Sequence, residues 1–232
     1  MKTPQLAFDF RWNSAADLAS FESQGNEEAV AAIRRLGEGR GESLYLTGPP
    51  GSGRSHLLQA ACGEVSRAGG TAVYIPLADY ADAAPTLLEG LERLSLVALD
   101  DLDRVSGDPD WEEALFHCYN RLREAGVDLV VCAAGAPDAL GIRLPDLLSR
   151  LSALLRFRLS APDDARRQQI LARAAAARGL DLPLAASAFL LRHEARDLHH
   201  LMRVLDALDA ASLQTGRRLT VPFIREVLAA QR

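Results

Sequence analysis

Short apolar runs recur through the first two-thirds of the chain, at Ser43–Thr47 (SLYLT), Ala72–Pro76 (AVYIP), Ser95–Asp100 (SLVALD), Leu129–Ala133 (LVVCA) and Leu154–Leu159 (LLRFRL). Runs of this length read as strands. Helical segments separate them at about 54–67, 79–91, 110–125 and 145–152. An earlier helix is predicted from an Asn26 cap to about Leu36, with Glu27 and Glu28 in the first turn, where the helix dipole favours acid. Strands alternating with helices indicate βαβ units and a mainly parallel sheet. The pattern changes at Pro162, after which the chain reads as helices without a convincing strand. The clearest helix, Arg196–Leu213, sets Leu198, Leu201, Met202, Leu205 and Leu208 on one face, as core packing requires. The organisation expected is an extended tail over 1–14, an α/β core over 15–160 and a small all-helical domain over 161–232.

Composition narrows the class. A chain of 232 residues that is 48% hydrophobic and 25% charged can bury a sizeable core, which excludes wholesale disorder. The net charge of −5 argues against a dedicated nucleic-acid coat, since backbone binding to nucleic acid runs on clustered positive charge. Nearly all of that positive charge is arginine, the one lysine being Lys2. Cys62, Cys118 and Cys132 form no C-x-x-C pair and read as buried free thiols of a reducing compartment. The start of the chain lacks the pattern of a secretory signal, and no apolar run approaches the ~20 residues that span a bilayer. A cytoplasmic protein without a membrane partner is expected.

The sharpest motif is Gly48-Pro49-Pro50-Gly51-Ser52-Gly53-Arg54-Ser55, directly after one predicted strand and opening a helix. It fits the phosphate-binding pattern G-x-x-x-x-G-K-[ST], with arginine in the lysine position. Glycines there let backbone N–H groups curl around phosphates, and the helix N-terminus adds partial positive charge. Gly48, Pro50, Gly51, Ser52, Gly53, Arg54, Ser55 and His56 are the residues expected around the phosphates. Guanidinium can hold a diphosphate but is bulkier than ammonium and suits a transferring γ-phosphoryl group less well. Drift from lysine in so lysine-poor a chain is the competing account.

Leu96–Asp101 (LVALDD) is an apolar strand ending in two acids. Beside a phosphate loop, Asp100 would orient Mg²⁺ and its waters, Ser55 would supply the hydroxyl on the Mg²⁺ side, and Asp101 would stand where the water-polarising acid belongs. The strand ending Cys132-Ala133-Ala134-Gly135 offers no side chain to donate to a γ-phosphate. These parts together predict a nucleotide binder with feeble hydrolysis of its own. Arg156 and Arg158, at period 2, share one face and suit an acidic partner, DNA phosphates or solvent alike. His199 and His200 read as surface or interface, Trp12 and Trp111 as packing anchors.

Assembled, these motifs resemble the DnaA-related AAA+ family, and within it the Hda-type regulators. Ser20–Asn26 (SFESQGN) is similar to the family segment lying against adenine, which implies an adenine-side role for Phe21 and Asn26. Leu144–Leu151 (LPDLLSRL) resembles the segment carrying an arginine finger, here Arg150, whose plain alternative is a surface ion pair. Ala195–Leu198 (ARDL) looks like the sensor of the helical lid, with Arg196 reaching the nucleotide. Gln5–Phe10 (QLAFDF) is similar to the peptide that docks on the β sliding clamp of DNA polymerase III, through Gln5, Leu6, Phe8 and Phe10; a packed N-terminal strand is its plain alternative.

The resemblance covers nearly the whole chain and implies an AAA+ core with a helical lid. It also implies bound ADP (or ATP) with Mg²⁺, and an arginine finger presented in trans to DnaA-bound ATP. DNA would be reached through the clamp, with self-association open. Two other classes compete: an autonomous AAA+ ATPase such as a helicase loader, and a non-catalytic DNA-binding accessory. A small-molecule kinase would need an insertion closing over a second substrate, for which the sequence has no candidate.

Overall fold

The structure, a computed structural model, describes residues 16–38, 40, 42–194 and 198–230. The chain divides into an α/β unit that runs to Ser160 apart from Pro50–Ser52, and a helical unit made of the residues from Ala161 onward together with Pro50–Ser52. In the first, β1 (Ser43–Thr47), β2 (Ala72–Pro76), β3 (Leu96–Asp100), β4 (Asp128–Ala133) and β5 (Leu155–Arg158) form one sheet in the order β2-β3-β4-β1-β5. Every pairing is parallel. All strands therefore end on one edge of the sheet, where open α/β folds bind their ligands.

Helices α1 (Glu27–Ile33) and α2 (Arg54–Arg67) line one face, α3 (Pro109–Ala125) and α4 (Pro145–Ser152) the other. Leu44, Leu46, Leu96, Ala98 and Val130 point into the layer shared with α1 and α2. Tyr45, Val97, Leu99 and Val131 point into the layer shared with α3 and α4. Covered on both faces, β3 and β4 are buried along their whole length, as parallel strands require. Trp111 is a fully packed member of the α3 layer, as its sequence context suggests; Trp12 lies outside the described residues.

Three local expectations need correction. The helix predicted over 79–91 is instead three short 3₁₀ turns, Leu77–Tyr80, Pro85–Leu88 and Leu91–Arg93. Pro85 forces Ala84 into an extended conformation (ψ 142°), and Gly90 sits at φ 76°, so no helix can run through both. The first helix ends at Ile33 rather than near Leu36. Asn26 is the N-cap residue, but its side chain makes no capping bond, because its amide is used elsewhere. Asn26 Oδ1 accepts from Ser160 N at 2.8 Å and its Nδ2 donates to Ser160 O at 3.2 Å, pairing with the backbone as a strand would.

The second unit consists of α5 (Asp164–Ala177), α6 (Leu184–His193), α7 (Leu198–Thr215) and α8 (Val221–Ala230). Leu201, Leu205 and Leu208 are buried with Leu171, Leu190, Phe223 and Ile224, while Leu198 and Met202 pack at the margin. The apolar stripe read from the sequence is thus the unit's core. Asp163 caps α5 by accepting from Arg166 N, and Arg178 ties α5 to α7 through Asp206 at 2.7 Å. His200 Nε2 stands 2.7 Å from a Glu194 carboxylate oxygen; nothing is described of the His199 side chain. Among the described residues no helix is long and apolar enough to cross a membrane.

Candidate nucleotide-binding site

The loop leaving β1 turns sharply back into α2, and its geometry depends on glycine. Gly51 and Gly53 take φ of 76° and 89°, a region that costs an L side chain about 1–2 kcal/mol or more. At Gly53 there is a second constraint: a Cβ would lie 2.6 Å from the ring of Phe21. Phe21 therefore packs directly on the phosphate loop, 5.8 Å from the ring of His56. His56 braces the same segment, its Nε2 lying 2.9 Å from Asp17 O, to which it donates. Asp17 in turn accepts from Ser20 N, which holds its carboxyl below the usual carboxylate range.

Arg54 opens α2. Its side chain is only 14% exposed, with Nη2 at 4.0 Å from Asp101 Oδ1. Among the described residues its buried Nη1 has no hydrogen-bond partner, nor has the buried hydroxyl of Ser52. A buried, permanently charged donor with nothing to bond is costly unless an anion completes it. With the turn of Gly48–Gly53 and the start of α2, these two orphans fit a polyphosphate.

The acidic pair at the end of β3 is differently disposed from what its motif suggests. Asp101 adopts φ 53°, a left-handed conformation that aspartate tolerates better than most residues. Burial first, and the neighbouring Asp100 charge second, raise its carboxyl above the ordinary value, while Arg54 opposes them. Asp100 is 1% exposed. Its Oδ2 accepts from the Tyr74 hydroxyl at 2.7 Å, and its Oδ1 from Asp101 N at 2.8 Å and from the Cys132 thiol. Burial, then the Asp100 charge, hold that thiol far above the ordinary range and therefore protonated. A carboxylate with three donors and almost no exposed surface does not fit direct ligation of a divalent ion, and Ser55 and Asp100 are not joined by any hydrogen bond described here.

Strand β4 lies between β1 and β3 and ends in Cys132 and Ala133. Beyond it, Ala134 N donates to Asp103 Oδ1 at 2.8 Å, and Gly135 O accepts from the Tyr45 hydroxyl at 3.0 Å. Asn26, expected beside adenine, is committed to Ser160, whereas Phe21 does stand against the loop.

Arg150 lies on α4, whose Leu147 and Leu151 are buried in the core and leave Arg150 exposed. Among the described residues its guanidinium has no hydrogen bond or ion pair. The entry to α4 is fixed by a group the sequence reading missed. Glu112, 2% exposed on α3, accepts from Gly107 N at 2.8 Å, Arg143 N at 3.0 Å and Leu144 N at 2.7 Å. Arg156 and Arg158 are exposed on β5, at the sheet edge. Gln5, Leu6, Phe8, Phe10 and Arg196 lie outside the described residues.

This parallel sheet with its phosphate loop, acidic strand end and following four-helix unit is the AAA+ fold in its DnaA-like form. Its similarity to domain III of the Thermotoga maritima replication initiation protein DnaA extends over 95% of this chain and 98% of that one, at 22% identity and a TM-score of 0.79. AMPPCP-bound DnaA from Aquifex aeolicus is similar over 88% of this chain and 69% of that one, at 23% identity and a TM-score of 0.67. The Thermotoga maritima RuvB Holliday junction branch migration motor follows the same fold over 89% and 69%, at 17% identity and a TM-score of 0.60. Within the helical unit, residues 164–228 match the family described as Hda, lid domain. The chain thus has a DnaA-like AAA+ fold, and its helical unit matches the Hda lid family over residues 164–228.

Proposed function

We propose that this protein is a negative regulator of replication initiation, acting on ATP-bound DnaA. Its tail docks on the β sliding clamp through Gln5, Leu6, Phe8 and Phe10, so that DNA is reached through the clamp. Arg150 enters the DnaA nucleotide site in trans and stabilises negative charge developing on the γ-phosphate. Arginine fingers of this kind contribute ~10³–10⁵ in rate. The product is ADP-bound DnaA.

In the protein's own site, Arg54 and the backbone of Gly51–Ser55 hold a nucleoside diphosphate, with Phe21 on the adenine side and Arg196 reaching in from the lid. Intrinsic hydrolysis is feeble, because the end of β4 presents Cys132 and Ala133 rather than a donor to a γ-phosphate.

The observation that carries this reading is the exposed, unpaired guanidinium of Arg150 on a helix whose entry is pinned by Glu112, in a chain whose lid matches the Hda lid family. The test mixes DnaA-ATP, clamp-loaded DNA and this protein, and measures ADP. Arg150→Ala should remove the stimulation; an undiminished rate would sink the finger. Gln5→Ala with Leu6→Ala should abolish retention in a clamp pull-down, and unaltered retention would take the docking role from the tail. A helicase loader would instead show steady-state ATPase activity of its own.

A further inference from the structure

We infer that nucleoside diphosphate binds this phosphate loop without a divalent cation, the charge of Arg54 standing where the metal's charge would. The inference rests on the nucleotide-binding reading above and concerns the same site.

A carboxylate offers about four lone-pair positions, two on each oxygen. Both positions on Asp100 Oδ1 are taken, one by Asp101 N and one by the Cys132 thiol, and the Tyr74 hydroxyl takes one of the two on Oδ2, leaving a single buried position. The donors come from β2, from β4 and from the residue following β3, so the carboxylate is bolted across three adjacent strands. At 1% exposure Asp100 has no surface for an ion or its water to touch, and reaching it means breaking the Tyr74 bond.

A cation is already built in. Arg54 cannot lose its proton, and its buried Nη1 has no partner among the described residues. Its other terminal nitrogen stands 4.0 Å from Asp101, which leaves the orphaned N–H group to the phosphates. A planar guanidinium donates two parallel bonds to phosphate oxygens, which a lysine ammonium cannot. A metal beside it would meet like charge, and the nearest part-exposed carboxylate, Asp101, already lies 4.0 Å from that guanidinium. Tyr74 and Cys132 are thus positioning residues: they hold Asp100 away from any ion.

The experiment titrates the full chain with fluorescently labelled ADP, once in excess EDTA and once in millimolar MgCl₂. The dissociation constants are expected to agree within threefold. Tightening of tenfold or more by Mg²⁺ overturns the inference while leaving nucleotide binding intact; no binding in either buffer overturns both. Tyr74→Phe, which frees Oδ2, is expected to make Mg²⁺ tighten binding at least threefold, and indifference of that variant to Mg²⁺ overturns the part assigned to Tyr74. Arg54→Lys is expected to weaken binding in EDTA at least fivefold and to regain part of it in Mg²⁺. Equal affinity of Arg54→Lys and the parent chain in EDTA overturns the part assigned to Arg54.

Discussion

Glu112 lies between Trp111 and the apolar positions Leu115 and Cys118 on α3, where a charge would be prohibitive without partners. The backbone N–H groups of Gly107, Arg143 and Leu144 supply them. Hydrogen bonds to a charged group contribute ~1.5–3 kcal/mol each, and a buried donor left unpaired costs a further ~1–3 kcal/mol. Glu112→Gln turns an amide NH₂ toward donors, so we expect a loss of about 2–4 kcal/mol in urea unfolding and weaker stimulation of DnaA. An unchanged midpoint would refute this account. The sequence carried half the signal, a glutamate on an apolar helix face, but its partners at 143 and 144 are 31 and 32 residues away. Asn26 misleads for the same reason: preceding two glutamates it looks like a helix cap, and only the tertiary fold reveals that Ser160 claims its amide. Tyr74 and Cys132 were equally invisible as partners of Asp100, since an apolar alternation says which face a residue takes and not which acid it meets.

Elements were far more legible than their polar contacts. The five strands and the phosphate loop emerge from run length and punctuation, because strands covered on both faces must be apolar throughout. The segment over 79–91 has helical composition, but Pro85 and Gly90 act locally and decisively against a helix. In the lid, α7 was legible since one stripe had to supply a whole core. Leu205→Ala, which empties a fully buried position in that core, should cost about 2–5 kcal/mol of lid stability. Hydrogen exchange of α5–α8 amides would measure it; protection unchanged across those helices would mean the stripe is not what holds them. The element bearing Arg150 illustrates the same division, for Leu147 and Leu151 mark its buried side plainly while the Glu112 anchor does not show.

For the molecule as a whole, the buried thiols set the alkaline limit. Burial pushes Cys62 up to about 12 and Cys118 up to about 11, against ~8.5 for a free thiol. A group whose folded pKa is raised stabilises the fold fully below its unfolded pKa, and that contribution disappears as pH climbs toward the folded value. Urea midpoints should therefore be level from pH 7 to 8 and fall between about pH 9 and 11. A flat profile to pH 11 would contradict the burial of both thiols. At neutral pH a colourimetric thiol reagent should react slowly with Cys62, Cys118 and Cys132 in the native protein and promptly in urea.

The two bonds between Asn26 and Ser160 join positions 134 residues apart, one before the first helix of the α/β unit and one at its last residue. The start of its first helix and its last residue are thus within bonding distance, so a short linker could stitch them and new ends could be opened at a distant turn such as Gly126. A rewired chain of this kind would keep every strand pairing, and its unfolding midpoint should track the parent's unless the Asn26 amide is removed.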